Sequence, residues 1–504
     1  MGKTVIGKQA KPDYGVILIL LAGAFVALLA NTLLNIALPS IMKEFDVTAS
    51  TVQWVTTGYM LVNGVLIPTT AFLIQRFSTR QLFLTAMLLF TAGTVLGGFA
   101  PAFSVLLAGR MIQAAGAAIM MPLLMNVMLT SFPIEKRGAA MGIFGLVMIF
   151  APAIGPTLSG WIVENYDWPV LFHIISPIAF IVLVLAFFKL KDKKEKVAIK
   201  IDVLSVILST IGFGGILYGF SSAGNKGWSS PEVYITLIVG AVALVIYIFR
   251  QFQLKQPMLD FHVYKYPMFT LASAISVTLN MAMFSAMLLM PIYLQTLRGI
   301  SPFHSGLLML PGAIIMGIMS PITGKLFDKF GAKILALIGL TITLVTNYTF
   351  SQLSMDTTYT TLIIMYTVRM FGMSMVMMPI MTNGLNQLPM RYTPHGTAMN
   401  STLSQVSGAI GSALLVTIMQ NRTKSQAEEL AKEAMSHMTA QPTKSAMAEM
   451  KQQIMAKATL EGINFSFLVS TVIIVLALVL ALFIKRAQPA KEEVNTQATK
   501  SESL

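Results

Sequence analysis

Few side chains in this 504-residue sequence are equipped for chemistry, and the ones that stand out lie in or beside long apolar runs. Arg110 and Gln113 sit within LAGRMIQAAG, Leu107–Gly116. A guanidinium in an apolar helix costs about 3 kcal/mol at mid-bilayer, so by default it marks a functional pair or a water-filled cavity. A purely structural role, donation to carbonyls of a neighbouring helix, stays open for it. Asn31 and Asn35 occupy an earlier apolar run, Asn31 at a depth similar to Arg110, and Arg369 places a second cation in a later one. Glu164, His173, Asp202 and Asp328 are the groups that could carry a proton, but none of the acids falls near the middle of a run. His173 reads equally as a hydrogen-bonded structural residue. The chain has no cysteine, which excludes disulfides, thiolate metal sites and Cys nucleophiles. No nucleophile–base set, metal cluster or phosphate-binding glycine loop stands on the apolar runs. An enzyme is not expected, nor a cofactor.

The elements that must position these residues are membrane spans. Hydrophobic residues make up 55% of the chain, charged ones only 11%, and the mean hydropathy is +0.73. That leaves too little charge to cover a soluble domain of this size. Fourteen apolar runs of roughly bilayer-spanning length lie near 14–38, 50–74, 81–99, 103–131, 137–163, 168–189, 201–222, 232–250, 267–296, 304–324, 333–353, 357–385, 396–420 and 462–484. The first is too long for a signal-peptide core. The formal charge of +14 does not indicate nucleic acid, because the basic residues sit in short loops between runs. Placing both termini in the cytoplasm puts Arg76, Arg80, Lys136, Arg137, the Lys189–Lys200 cluster, Arg250, Lys255, Lys265, Lys325, Lys329 and Lys333 inside, leaving only Lys43, Lys226 and Arg298 in the short outer loops. The connection 421–461 then falls outside, as a helical hairpin or a loose loop, and the polar tail 485–504 reads as disordered.

An internal repeat sets the architecture. Leu61–Leu82 aligns without gaps onto Ile314–Leu335, pairing Gly64 with Gly317, Pro68 with Pro321, Arg76 with Lys329 and Arg80 with Lys333. Gly109–Asn126 echoes Val368–Asn383, so Arg369 is the counterpart of Arg110. Spans 2–4 therefore correspond to spans 10–12. The expected organisation is a short N-terminal segment 1–13, a six-helix half 14–190, two inserted helices 201–250 and a second six-helix half 267–484. Parallel halves of this kind describe alternating access around a central site.

The run GIFGLVMIFAPAIGPTLSGW, Gly142–Trp161, adds a device that a plain span does not need. Pro152 and Pro156 remove helix hydrogen bonds and favour a bend, while Gly155, Ser159 and Gly160 let a neighbour approach closely. At this point the chain resembles the major facilitator superfamily, in its fourteen-helix drug:proton antiporter branch, over essentially its whole length. The antiporter signature of that branch is matched by Gly142, Ala151, Gly155, Pro156, Ser159 and Gly160, with Ala151 and Ser159 standing for two of its glycines, which implies export and a gate on span 5. The loop motif after span 2 is well kept in the second copy, Gly324, Asp328, Lys329, Gly331 and Lys333. It is degenerate in the first, where Ala71, Gln75 and Ser78 replace its Gly, Asp and Gly. The resemblance implies a cytoplasmic latch from Asp328 with Lys329 and Lys333, and a weaker one from Arg76 and Arg80.

Span 1 reads Asn31, Thr32, Leu33, Leu34, Asn35, Ile36, Ala37, Leu38, Pro39 where the related pattern begins with Asp. An amide cannot titrate, so energy coupling is left to a peripheral group. Together with Gly58–Pro68 and Pro133–Gly142, this span is most similar to the lincomycin-efflux branch. The resemblance implies an all-α bacterial inner-membrane exporter of small amphipathic substrates, a monomer in the lipid bilayer, exchanging cargo for protons. Thirty-six methionines, several of them clustered in spans 4, 9 and 12, suit an adaptable apolar cavity, or serve as lipid-facing filler. A lipid or lipid-precursor flippase, or an uncoupled metabolite exporter, keeps the same fold.

Overall fold

The computed structural model describes residues 13–47, 49–52, 54–191, 202–436 and 444–488. The N-terminal segment, most of the basic run after span 6 and the polar tail lie outside the described residues. Among those described, every regular element is helical, and fourteen helices are long and apolar enough to cross a membrane. They are α1 (Tyr14–Glu44), α2 (Trp54–Arg76), α3 (Thr79–Gly98), α4 (Phe103–Ser131), α5 (Arg137–Asn165), α6 (Val170–Lys189) and α7 (Val203–Lys226). There follow α8 (Pro231–Gln253), α9 (Pro267–Leu297), α10 (Pro302–Phe330), α11 (Ala332–Phe350), α12 (Tyr359–Asn386), α13 (Thr393–Ser436) and α14 (Lys444–Ala481).

Local sequence explains where these helices start, break and stop. Ser78 opens α3 with a reciprocal capping box, its hydroxyl taking the Gln81 N–H while the Gln81 side chain takes its own. Gly331 closes α10 at φ +79°, a conformation that a side chain would strain. Pro68 lies in a tightened turn, Ile67–Thr69, within α2. α12 loses its regular helix at Met375–Val376, as expected three to four residues ahead of Pro379, which has no N–H to return. By contrast α5 stays helical straight through Pro152 and Pro156.

One large apolar cluster gathers α1–α6 with parts of α7 and α8, and a second gathers α9–α12 and α14. Within the first, α3 and α4 approach backbone to backbone: a methyl on Gly109 would stand 2.9 Å from the Gly93 carbonyl and 2.9 Å from the Gly97 nitrogen. The glycine spacing of the Arg110 segment is thus a packing requirement. α7 and α8 pair with each other, and α7 leans on both α2 and α13.

The described part of the 421–461 connection is a helical hairpin, built as direct extensions of the two spans it joins, and not a loose loop. Its described residues continue α13 to Ser436 and begin α14 at Lys444. At 1.5 Å per residue, α13 spans about 66 Å, twice the hydrocarbon thickness, so both helices project beyond the bilayer. The projecting parts are tied by Arg422 to Glu461 at 3.2 Å and flank an open apolar groove of about 660 Å³ lined by Met419, Met435, Met447, Met450 and Met455.

The α3–α4 contact gives a first test. Gly109→Val forces the two backbones apart and is expected to cost about 1–3 kcal/mol. A thermal-unfolding scan of the purified variant should show a midpoint several degrees below the parent.

Candidate functional site

Arg110 is 1% exposed, although its side chain is the costliest in α4 to bury. Its Nη1 donates to Gln113 Oε1 at 2.5 Å, one helical turn on. The Gln113 amide then donates to Thr94 Oγ1 of α3 at 2.8 Å, and Thr94 donates to the Phe90 carbonyl at 2.6 Å. The guanidinium carbon lies 4.3 Å from the centre of the Tyr59 ring of α2, a cation–π contact in a dry setting. Nε and Nη2 have no acceptor, and among the described residues no carboxylate pairs with this cation. Arg110 and Gln113, read together from the sequence, do meet. Thr94 and Tyr59 complete their set and were not singled out there.

The other members of the expected polar cluster stand apart. Asn31 is half-buried with its Oδ1 unpaired and makes no described bond to Arg110. The Asn35 side chain lies outside the described residues. Arg369 is fully buried at a separate place, where its Nη2 donates to the Ala282 carbonyl of α9 at 3.1 Å while Nε and Nη1 lack partners. A further polar pair was not legible from the sequence: Ser404 of α13 donates to Asn280 Oδ1 of α9 at 3.1 Å.

α5 carries the tightest seam between the first six helices and the last six. A methyl on Gly142 would stand 2.7 Å from the Ser320 carbonyl, and a methyl on either Gly138 or Gly324 would run into the other's carbonyl. Ser320 donates across this seam to the Gly142 carbonyl at 2.8 Å. Further along, Gly155 and Ser159 turn to α1 instead: Gly155 fits against Thr32, and Ser159 donates to the Leu33 carbonyl at 2.5 Å. At Gly160 the nearest contact for an added methyl is the Phe303 side chain at 3.9 Å. Ala151 is buried and Pro152 half-buried; the Pro156 side chain is outside the described residues. So of the signature residues, Gly142 serves the contact with α10, and Gly155 and Ser159 hold α5 to α1.

Asp328 does not pair with Lys329 or Lys333, which are exposed. Its carboxylate reaches across to the start of α5, where Oδ1 accepts from the Gly138 N–H at 2.9 Å and Oδ2 from the Ala139 N–H at 3.0 Å. It thereby satisfies two orphan donors at a positive helix end. Nearby, Arg137 donates to Asn386 Oδ1 at 3.2 Å. In the first copy of the loop, Arg76 lies over Phe72 and Phe77, and Arg80 reaches the Phe187 carbonyl of α6 at 3.2 Å. Neither basic residue there meets a carboxylate among the described contacts.

The proton candidates are scattered. Glu164 and His173 are exposed, and the His173 ring stacks 4.8 Å from Phe99. Asp202 sits just before α7, where Arg250 grips it with two bonds of 2.7 and 2.9 Å and Ser205 adds one of 2.5 Å. The Arg250 hydrogen bonds hold its carboxyl at about 2, against an ordinary value of 3.8. It therefore stays ionised across the physiological range.

The architecture and the glycine-to-backbone seam identify the assembly, and the sequence comparison agrees. Residues 20–412 match the profile of the Major Facilitator Superfamily. The chain belongs to that superfamily. It is 48% identical to the uncharacterized MFS-type transporter YhcA of Bacillus subtilis (strain 168), over 96% of this chain and 95% of that one. It is 44% identical to the lincomycin resistance protein LmrB of the same organism, over 93% and 95%. With LmrB of Listeria monocytogenes serovar 1/2a the identity is 41%, over 96% and 98%. The crystal structure of the human organic anion transporter MFSD10 (TETRAN) superposes with a TM-score of 0.65 at 10% identity, covering 94% of this chain and 100% of that one, a likeness of fold. This superfamily member is a membrane transporter of small molecules and not an enzyme.

Two tests follow from these contacts. Asp328→Ala removes a cap worth about 1 kcal/mol, so a reporter Ala140→Cys on α5 should react with maleimide about fivefold faster. Asp202→Asn should lower thermal stability at pH 7, because a depressed pKa stabilises above the unfolded value and that gain is lost only as pH falls toward about 2. The difference from the parent should therefore narrow at low pH, while the pH profile of transport stays unchanged.

Proposed function

We propose that this transporter exports small amphipathic compounds of the lincosamide type from the bacterial cytoplasm, by alternating access and at the expense of the proton gradient. The observation that carries the reading is the donor-rich, acid-free interior. Arg110 offers Nε and Nη2 without acceptors, and Asn31 stands in α1 where the related pattern has Asp. An interior so furnished, once opened to cargo, favours acceptor oxygens, such as sugar hydroxyls or amide carbonyls, over permanent cations. The full-length likeness to proteins named for lincomycin resistance supports the same cargo.

On this reading the basic loop residues face the cytoplasm together with the Asp328 end and both termini, and the transporter works as a monomer in the cell membrane. The side-chain links Asp328–Gly138, Ser320–Gly142 and Arg137–Asn386 lie at that end, so this conformation is closed toward the cytoplasm. Cargo then leaves toward the opposite face, where α5 is held to α1 and stands off from Phe303. One observation favours a second reading, the flippase: both Arg110 and Arg369 keep two unsatisfied guanidinium nitrogens, which an anionic headgroup would satisfy.

Purified protein in vesicles, with and without an imposed pH gradient, tests both readings using a lincosamide, a cationic dye and a fluorescent lipid. Gradient-driven lincosamide uptake into inverted vesicles is the expected result. Lipid transfer without lincosamide movement would replace export by the flippase, and no effect of the gradient would remove proton coupling. In cells, Arg110→Ala should abolish resistance while the protein stays in the membrane. Asn31→Asp should widen the profile toward permanent cations, and an unchanged drug profile would remove the role given to that amide.

A further inference from the structure

A second junction lies between the ends of α2 and α13, and it uses a residue that none of the readings above employs. His395 is 5% exposed and stands two residues into α13. Its Nδ1 accepts the backbone N–H of Asp260 at 3.1 Å, so the ring proton is on Nε2. Nε2 lies 2.7 Å from the Gln75 side-chain nitrogen at the end of α2, and with that amide turned about, Gln75 Oε1 accepts the Nε2–H. One neutral imidazole thus joins three separate parts of the chain.

The internal repeat makes this junction the partner of the Asp328 cap. Gln75 occupies the repeat position of Asp328, and His395 precedes Gly-Thr-Ala-Met as Arg137 precedes Gly-Ala-Ala-Met. In both places the end of one helix meets the start of another across the bundle. The Asp328 copy is a charged cap; the Gln75 copy depends on an imidazole.

The charges around the ring are few. Asp260 is the acid whose field reaches it, and that carboxylate is turned to His262, accepting the His262 N–H at 2.9 Å and lying 2.7 Å from its Nδ1. Arg76 of α2 is stacked on Phe72 and Phe77, and Arg391 on Tyr392, whose ring is 6.5 Å from His395. Lys265 is exposed, and the facing ends of α4 (Met120–Ser131) and α12 (Met377–Asn386) carry no charged side chain.

We propose that His395 is a proton-sensitive clasp that closes this end of the transporter when neutral and releases it when protonated. A proton from the adjoining aqueous phase would add to Nδ1, and that N–H would then point at the N–H of Asp260. Two donors cannot share one bond, so the Asp260 link breaks and the ring needs a new acceptor. The exposed surroundings of the opened junction supply one as water, and the Asp260 carboxylate supplies another. Acidification on this side therefore favours the open arrangement. The proposal rests on the alternating-access reading and adds a control point to it, distinct from the cargo site around Arg110.

The absence of cysteine makes the test direct. Spin labels at Thr85→Cys on α3 and Lys265→Cys before α9, both exposed and outside the clasp, report the separation across the junction in the full-length protein. The short-distance population should fall as pH is lowered from about 7 to about 4. His395→Gln, which cannot titrate, should flatten that dependence; a parent-like response in this variant would overturn the proposal. Gln75→Glu provides the second variant, since a carboxylate beside Nε2 holds the imidazolium within the closed junction, so that opening needs more acid and the midpoint should fall by about 1 pH unit. An unmoved midpoint would overturn it equally. The distances require no cargo, so a pH-dependent clasp without lincosamide transport would refute only the export reading. Flat distances with intact transport would refute only the clasp.

Discussion

The constraint on which the seam depends is that two backbone N–H groups at the start of α5 find their acceptor on another helix. Gly138 and Ala139 donate to the Asp328 carboxylate because nothing within α5 can accept from them. For that carboxylate to arrive, α10 must run close beside α5, which is possible only where Gly138 and Gly324 face each other without side chains. Gly142 and Ser320 extend the same approach by one more turn. Beyond it, Gly155 and Ser159 commit the rest of α5 to α1. A single helix therefore belongs to the opposite half of the bundle at one end and to its own half at the other. A lever of that kind transmits a change at either end.

The buried guanidinium of Arg110 is tolerated for a different reason. In lipid, an unpaired cation would ordinarily be neutralised by an acid, yet this chain supplies only neutral partners: an amide, a hydroxyl relay and the face of Tyr59. Each spreads or screens the charge without cancelling it. The interior thus keeps a positive charge and spare donors. The usual route to proton coupling, an acid in the same cavity, is absent from the Arg110 cluster, and the titratable groups lie at the ends of the helices.

The spans, their number and the repeat were legible in the sequence because they rest on long patterns: apolar runs of bilayer length, and glycines and prolines held in register over twenty residues. Arg110 and Gln113 were legible as a pair because one helical turn separates them. What stayed hidden depends on partners far apart in the chain. Gln75 and Ser78 read as losses from a loop motif, yet Ser78 is the cap of α3 and Gln75 meets a histidine 320 residues away. Lys329 and Lys333 read as members of a latch, but the bonds that hold Asp328 come from backbone N–H groups, which no side-chain pattern reports. For the 421–461 connection the sequence left a helical hairpin and a loose loop both open because its charges break the apolar pattern, although helix formation outside the bilayer requires only propensity and a partner.

The α7–α8 pair reads at first as filling between two halves, yet its bonds lead directly to the junction at His395. Arg250 of α8 holds Asp202 before α7, and Gln251 beside it donates to Ser205 at 2.6 Å. The same Gln251 accepts the N–H groups of Met258 and Leu259 at 2.8 and 3.2 Å. The next residue is Asp260, whose N–H reaches His395. Each step is a short bond between buried or half-buried groups, so the segment that presents Asp260 is fixed by α7 and α8 and not by the loop alone. The inserted helices therefore set the position against which the clasp closes. A transporter of twelve helices would have to build that position another way.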